Sequence, residues 1–169
     1  MKNIEIFQSK NIYDYKNILE GLTKDFGFIY YHAILSWCGI IKNSDWKSEK
    51  KYWQVYLIKY DDEIVGICGL YSLYEYKTDE LWLGWFGIIP SERNLGIGEY
   101  ALNWMKDIAK SLGCKSLKSY VDSKGKPLNF YYRNGFKRIC LVKEYLNMNK
   151  DLSLSEFEEE NDIIIECLL

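Results

Sequence analysis

The spacing of apolar residues in the first part of the chain changes from alternating to helical. Residues Asn3 to Gln8 alternate polar and apolar side chains, which predicts a short first strand. Between Ile12 and Phe26 apolar residues recur every three or four positions, which predicts an amphipathic helix. A second helix is predicted over Tyr30 to Cys38, and the polar stretch Asn43 to Lys51 is predicted to be a loop or an irregular helix.

Three strands are predicted next. Residues Tyr52 to Tyr60 are aromatic and β-branched, Asp61 to Glu63 supply a turn, and Ile64 to Tyr76 continue as a second strand. These two strands should therefore form an antiparallel hairpin. The following run, Leu81 to Ile89, is almost wholly apolar and ends at Pro90. Because a strand without a polar face is covered on both sides, this run is predicted to lie at the centre of a sheet.

The second half of the chain alternates helices and strands. An apolar stripe predicts a helix over Glu99 to Leu112, and Gly113 fits its C-cap. A strand, a short helix and two more strands are then predicted, in this order: Ser116 to Val121, Pro127 to Asn134, Phe136 to Leu146 and Asp162 to Leu169. The elements together predict one mixed α/β domain over residues 1–169, without an internal repeat.

Composition and charge narrow the class of protein. The 169 residues suit one domain, and 48% of them are hydrophobic, which is enough to form a core. A formal net charge of −2 gives no electrostatic footprint for nucleic acid or an anionic membrane. No apolar stretch is long enough to span a bilayer, and Met1 to Phe7 lacks a signal peptide's apolar core. We therefore expect a soluble, cytoplasmic protein without nucleic-acid or membrane partners.

Cysteine and histidine residues do not form the pattern of a metal site. The single histidine is His32, and the five cysteines contain no Cys-x-x-Cys pair: Cys38, Cys68, Cys114, Cys140 and Cys167. An odd number of separated cysteines argues against a disulfide framework. We expect buried free thiols and no metal.

A turn with two glycines is the strongest candidate for chemistry. Gly96 and Gly98 lie between the apolar strand and the predicted helix, where glycine lets the backbone turn tightly and approach a ligand closely. The amides of residues 94 to 98 would point toward the positive end of the helix dipole. Such an arrangement binds anions, and a pyrophosphate fits it well. An ordinary glycine turn without a ligand is the alternative.

The same glycines also satisfy a dinucleotide-binding pattern. Gly96 to Ala101 reads Gly-x-Gly-x-x-Ala, and Asp122 follows about twenty residues later. In the fold that carries this pattern, however, the strand runs almost directly into the first glycine, whereas here Pro90 to Leu95 separate the strand from Gly96. The hairpin and two helices that come first also argue against it. Binding of a nicotinamide nucleotide is therefore the less favoured interpretation.

The wider sequence resembles the GNAT superfamily of acetyl-CoA-dependent N-acetyltransferases. Residues Ile88 to Gly98 contain the Arg-x-x-Gly-x-Gly core of its acetyl-CoA motif, and Phe130 to Phe136 resemble its second motif, a short helix ending in Gly-Phe. One helix and one strand separate the motifs, as in the family. The resemblance implies an α/β (α+β) fold with a mixed, mostly antiparallel six- to seven-stranded sheet flanked by about four helices.

The resemblance also implies which residues hold acetyl-CoA. The central strand would bind the pantetheine arm through its backbone, and an amide near Ile88 would bind the thioester carbonyl or oxyanion. Where many members have a glycine this chain has Asn94, which tolerates a left-handed backbone. Lys124 replaces the family's usual asparagine, so Asn129 is the substitute contact. The predicted contacts are Phe86, Ile88, Arg93, Asn94, Leu95, Gly96, Ile97, Gly98, Asn129 and Tyr131.

The resemblance implies a residue for one proton transfer but not for the other. Tyr131 would protonate the leaving thiolate, since a phenol with a pKa of about 10 carries its proton at neutral pH. Tyr132 is the alternative donor, and simple core packing is the alternative role for Tyr131. Some members of the family carry a carboxylate base on the central strand, and the corresponding position here is Trp82. Glu80, two residues earlier on the same face, is therefore the nearest candidate base. A chain of water molecules is the other route.

An acceptor pocket is expected between the early helices and the connection before the last strand. The early segment is rich in aromatic residues, and the late connection is acidic at Glu156 and Glu158 to Glu160. This segregation predicts a pocket for a small cationic amine, with a solvated acidic loop as the alternative. The chain is thus predicted to be an N-acetyltransferase, for which the family implies that a homodimer is common. A non-catalytic CoA-binding or metabolite-sensing protein of the same fold is the second hypothesis.

Overall fold

The computed structural model describes residues 3–26, 50–73, 77–149 and 162–169. The chain divides into two compact units, one formed by Met1–Tyr71 with Leu83–Met105 and the other by Ser72–Trp82 with Lys106–Leu169. The described residues form eight strands and four α-helices, so the predicted mixed α/β fold class is confirmed. No helix in these ranges combines the length and apolar character needed to cross a bilayer. The single domain over residues 1–169 stays a prediction.

The elements follow the predicted order closely. The strands are β1 (Ile4–Phe7), β2 (Lys50–Tyr60), β3 (Glu63–Leu73), β4 (Glu80–Leu83), β5 (Gly87–Ile88), β6 (Ser116–Val121), β7 (Lys137–Leu141) and β8 (Ile163–Leu168). The helices are α1 (Ile12–Phe26), α2 (Ile97–Ser111), α3 (Pro127–Arg133) and α4 (Val142–Met148), with a short 3-10 turn at Pro90–Glu92. The helix predicted over Tyr30 to Cys38 lies outside the described residues.

The first unit is built around strands β1, β2, β3 and β5. β1 is antiparallel to β2, and a two-residue turn at Asp61-Asp62 connects β2 to β3, as the hairpin pattern predicts. β3 is buried from Val65 to Leu73, and its last two residues belong to the second unit. The buried side chains of these strands and of α1 include Ile18, Leu19, Leu22, Leu57, Ile58, Ile67 and Leu70.

The second unit contains the other four strands, in the order β4, β6, β8 and β7. β4 is parallel to β6, whereas β8 is antiparallel to both β6 and β7. Antiparallel pairs therefore predominate, as expected. The buried side chains here include Leu81, Trp82, Leu117, Phe136, Val142, Ile164 and Ile165.

The apolar run predicted as one strand over Leu81 to Ile89 is interrupted. It forms β4 and β5, separated by residues 84–86, and β5 pairs with β3 so that Ile88 lies opposite Gly66. A Cβ at Gly66 would lie 2.6 Å from Ile88 Cδ1 and 2.7 Å from the Gly87 carbonyl oxygen. Glycine at this position therefore lets β5 approach β3 closely.

The long strand predicted over Phe136 to Leu146 is wrong in its second half. β7 ends at Leu141, and α4 follows. The Glu144 carboxylate accepts a hydrogen bond from the Leu141 amide at 2.8 Å, which caps the new helix. Val142 and Tyr145 are buried three positions apart on one helical face, so tertiary burial favours the helix over the strand.

Candidate active site

The turn predicted to bind a pyrophosphate connects β5 to α2. Asn94 adopts a φ of 64° and Gly96 a φ of 81°, both in the left-handed region. Glycine adopts this region without strain, and asparagine adopts it more readily than most residues, as the sequence predicted. The Gly96 carbonyl accepts a hydrogen bond from the Tyr100 amide at 3.0 Å, so α2 begins at Ile97.

The beginning of α2 has the geometry of an anion site. An α-helix leaves its first amides without intrahelical acceptors, and these are the amides that follow Gly96. A Cβ at Gly96 would have no other heavy atom within 4 Å, so the space beside its backbone is open. Behind the turn, Ile97, Ala101 and Met105 are buried, which anchors the helix. Amides without intrahelical acceptors at the positive end of a 15-residue helix suit phosphate oxygens.

Arg93 fixes the turn to the end of β5. Its Nε donates a hydrogen bond to the Ile88 carbonyl at 2.8 Å. Ile88 is buried, Phe86 is half-buried two residues earlier, and the predicted contact Leu95 is exposed. Of the predicted contacts in this segment, the structure joins Arg93 directly to Ile88, and the Arg93 side chain holds the backbone of β5 through Nε.

Tyr131 lies in α3 with its ring between two phenylalanines. The centroids of the Phe130 and Phe136 rings both lie 5.4 Å from that of Tyr131, in edge-to-face geometry. The Phe136 amide also donates a hydrogen bond to the Tyr131 carbonyl at 3.1 Å, after Gly135 turns the chain with a φ of 87°. The Gly-Phe ending of the motif therefore holds the tyrosine in place.

The environment of Tyr131 keeps its hydroxyl protonated. The side chain is 7% exposed, and burial raises the pKa of Tyr131, while a hydrogen bond with the Ser119 side chain lowers it less. Tyr132 is 41% exposed, and Asn129 is also exposed. Of the two neighbouring tyrosines, Tyr131 is therefore the one with a fixed and buried ring.

Lys106 secures the end of the same helix. Its Nζ donates a hydrogen bond to the Asn134 carbonyl at 2.7 Å and lies 5.8 Å from the centroid of the Phe136 ring. An ammonium at a helix C-terminus interacts favourably with the helix dipole. No local pattern predicts this contact, because Lys106 lies 28 positions before Asn134.

Glu80 is buried inside a network of charges. Its carboxylate, 3% exposed, accepts hydrogen bonds from Lys118 Nζ, from Trp82 Nε1 at 3.3 Å and from the Tyr145 hydroxyl. Lys118 is also buried and lies 3.9 Å from the carboxylate of Glu166. The Lys118 ammonium lies 5.9 Å and 5.5 Å from the ring centroids of Trp82 and Tyr145. The sequence singled out Glu80 but not these partners.

Glu80 and Tyr131 interact with opposite faces of β6. Successive residues of a strand point to opposite faces, and Lys118, the partner of Glu80, is followed directly by Ser119, the partner of Tyr131. The structure therefore does not bring the two predicted catalytic residues together around one face of this strand.

The predicted acceptor pocket and the expected absence of a metal site involve residues that lie partly outside the described ranges. His32 and the acidic residues Glu156 and Glu158 to Glu160 fall outside them, as do most of the early aromatic residues. Within the ranges that the structure describes, no group of three or more histidine, cysteine, aspartate or glutamate side chains is arranged to hold a metal ion.

A family model agrees with the motifs. The model for the acetyltransferase (GNAT) family matches residues 17–136, which include the glycine turn and the helix of Tyr131. A comparison with curated proteins gives no match.

Solved structures of other proteins share this fold. A GNAT-family acetyltransferase from Staphylococcus aureus Mu50 superposes with a TM-score of 0.69 at 20% identity, covering 100% of this chain and 99% of that one. One from Elizabethkingia anophelis, with acetyl-CoA bound, gives 0.65 at 19% identity, with 99% and 98% covered. The N-acetylglutamate synthase of Neisseria gonorrhoeae, complexed with coenzyme A and N-acetyl-glutamate, gives 0.65 at 15% identity; this chain is covered completely but spans only 35% of that protein. At these identities the likeness shows the fold.

Proposed function

This chain belongs to the acetyltransferase (GNAT) family, and from that premise we propose that it transfers the acetyl group of acetyl-CoA to a primary amine. The observation that carries the proposal is the turn before α2. Asn94 and Gly96 adopt left-handed φ angles there, the space beside Gly96 is open, and the turn leads into a helix N-terminus, where the pyrophosphate of acetyl-CoA would bind. Arg93 stabilises that turn through the Ile88 carbonyl. The solved relative from Elizabethkingia anophelis, which has acetyl-CoA bound, supports the same co-substrate.

The reaction we propose is a direct attack. The neutral amine nitrogen bonds to the thioester carbon and the carbonyl oxygen becomes an oxyanion. As the carbonyl re-forms, the nitrogen loses its second proton to water and the carbon–sulfur bond breaks to release the thiolate. Positioning and stabilisation of the oxyanion supply most of the rate. We assign the oxyanion to backbone amides near Ile88, because β5 is held in place by its close pairing with β3.

We assign the proton for the leaving thiolate to Tyr131. A general acid must carry its proton at the working pH, and burial raises the pKa of this phenol. Its ring is held by Phe130 and Phe136, whereas Tyr132 is largely exposed. After donation the phenolate regains a proton from water. The exposed Asn129 is kept as the proposed contact to the pantetheine arm.

The amine must lose a proton before or during attack. An alkylammonium has a pKa of about 10, so a neutral fraction exists at pH 7, and the sequence left open Glu80 and a water chain as acceptors. We favour the water chain because the Glu80 carboxylate already accepts hydrogen bonds from three donors, one of them an ammonium. Catalysis by Glu80 stays a prediction.

The acceptor we propose is a small cationic amine. This rests on the aromatic residues before β2 and the acidic residues before β8 in the sequence. A cytoplasmic location and a homodimer belong to the same proposal. The second candidate, a non-catalytic CoA-binding protein, has no specific structural feature in its favour.

A thiol-release assay tests the proposal. Acetyl-CoA is mixed with the protein and a panel containing a polyamine, an aminoglycoside, an amino acid and a peptide with a free N-terminus, and free thiol is measured. We expect turnover with at least one amine. CoA binding in calorimetry without turnover on a broad panel would instead support the non-catalytic candidate. Absence of CoA binding would refute both.

A further inference from the structure

Glu80 and Lys118 form a buried ion pair, and a role as proton acceptor for Glu80 does not account for this pairing. We propose that Glu80, Lys118 and Tyr145 form a charge-balanced lock that positions β6, and through Ser119 of β6 the acid Tyr131. The role in catalysis rests on the proposed function. The lock itself is a statement about this chain's folded unit and can be tested without any substrate.

The lock ties together three elements of the second unit. Glu80 lies on β4, Lys118 on β6 and Tyr145 on α4, and all three side chains are buried. The Trp82 and Tyr145 rings meet edge to face, with centroids 5.6 Å apart and an interplanar angle of 69°. A carboxylate shared by donors from β4, β6 and α4 fixes the relative position of these elements more firmly than apolar packing alone, because each donor has a required direction.

The charges in the lock balance only as a pair. A buried ion without its partner retains the desolvation penalty and loses the attraction that offsets it. Glu166, at 3.9 Å from Lys118, has a side chain that is 27% exposed, so it is a weaker partner than Glu80. Burial and the neighbouring Glu80 and Cys140 raise the pKa of Tyr145, which keeps its hydroxyl a donor. Each member of the pair is therefore needed only while the other is present.

The lock reaches the reaction through the alternation of β6. Lys118 points to the face of Glu80, and Ser119, the next residue, points to the face of Tyr131. A shift of β6 after loss of the lock would move the Ser119 hydroxyl and misplace the Tyr131 hydroxyl. Misplacement of a reacting group by about 1 Å can lower a rate on the order of 100-fold. Glu80 and Lys118 are thus positioning residues.

A double-mutant cycle distinguishes this role from that of a base. The variants are Glu80→Gln, Lys118→Met and both together, measured for thermal unfolding and for the pH profile of kcat. We expect each single variant to lower the unfolding midpoint by about 10 °C and kcat on the order of 10-fold or more, and the double variant to recover most of both losses. The acidic limb of the pH profile should keep its midpoint in the double variant.

The exposed pair formed by Lys115 and Asp79 supplies a matched control. Its charged atoms lie 3.2 Å apart, at the ends of the same two strands as the lock. Exposed ion pairs contribute little, so Asp79→Asn with Lys115→Met should leave the midpoint and kcat nearly unchanged. Tyr145→Phe provides a milder perturbation of the lock, and it should lower the midpoint by a few degrees only.

Two results would overturn the proposal. One is additive stability losses in the cycle, which would show that the two charges are not coupled. The other is a double variant that regains stability but remains as inactive as Glu80→Gln and lacks the acidic limb, which would identify Glu80 as a base. If the wild-type protein releases no thiol at all, the proposed function fails, while the unfolding cycle still tests the lock.

Discussion

Replacing Tyr131 with phenylalanine removes the proposed acid and almost nothing else. The ring contacts to Phe130 and Phe136, at 5.4 Å each, survive the substitution. Only the hydroxyl and its hydrogen bond with Ser119 are lost. A buried hydrogen bond of this kind contributes about 1 kcal/mol, which corresponds to a lower unfolding midpoint of about 2–4 °C for a chain of this size.

The expected loss of activity is much larger than the loss of stability. General acid catalysis contributes roughly 10²- to 10⁴-fold, equal to about 3–5 kcal/mol of transition-state stabilisation. Tyr131→Phe should therefore lower kcat by at least about 10²-fold at pH 7 while CoA binding in calorimetry stays within about threefold of wild type. Tyr132→Phe is the matched control, because that side chain is 41% exposed, and its kcat should be unchanged.

The reverse result would refute the reasoning. If Tyr132→Phe lost the activity and Tyr131→Phe kept it, the exposed tyrosine would be the donor, and the buried one would serve only packing. If neither variant changed kcat when thiol release is rate-limiting, the thiolate would leave without a protein acid. Single-turnover measurements identify the limiting step before either conclusion is drawn.

Three further perturbations test the turn, the strand and the buried titratable groups. Gly96→Val strains a residue with a φ of 81° and places a side chain beside the amides at the start of α2, so the KM for acetyl-CoA should rise about 10-fold or more. The control Gly113→Val, with a φ of 78° at the other end of α2, carries similar strain and should leave that KM unchanged. Gly66→Ala forces a Cβ to within 2.6 Å of Ile88, and we expect a loss of about 1–3 kcal/mol in urea unfolding; wild-type stability would show that β5 yields easily. Burial raises the pKa of the Cys68 thiol and the Tyr145 phenol, so the folded state holds these protons more tightly than the unfolded chain. Stability should be complete below a pH of about 8, where both groups are protonated in the unfolded chain, and decline as the pH rises further. An unfolding midpoint that stays constant to a pH of about 11 would contradict this.

Local signals account for the parts of the structure that the sequence predicted well. The turn before α2 requires left-handed residues, and Asn94 and Gly96 are the types that adopt this conformation. The apolar stripe of α2 and Gly113 at its end predict a helix wherever the rest of the chain lies. β6 was predicted with its observed bounds, because Gly113 ends the preceding helix and the turn-forming residues Asp122 to Gly125 follow the strand.

The boundary between β7 and α4 was missed because its causes are not local. Val142 and Tyr145 fit either a strand or a helix by residue type, and burial against the second unit's other elements decides between them. The cap from Glu144 becomes visible only when the turn is already formed. The Glu80 network was missed for the same reason, since Lys118 lies 38 positions away in sequence.

The surroundings of Glu80 depend on its neighbours across the sheet as well as on those along its own strand. Along β4, Glu80 shares a face with Trp82, so from the sequence it is a reasonable replacement for a strand carboxylate. The parallel register adds the decisive fact, because Trp82 lies opposite Lys118 and brings an ammonium to that face. The Glu80 carboxylate already accepts hydrogen bonds from Lys118, Trp82 and Tyr145, so its oxygens are engaged within the protein. A carboxylate is therefore present on the expected strand and face, but the hydrogen bonds of Glu80 connect it to β6 and α4 and serve the proposed positioning of β6.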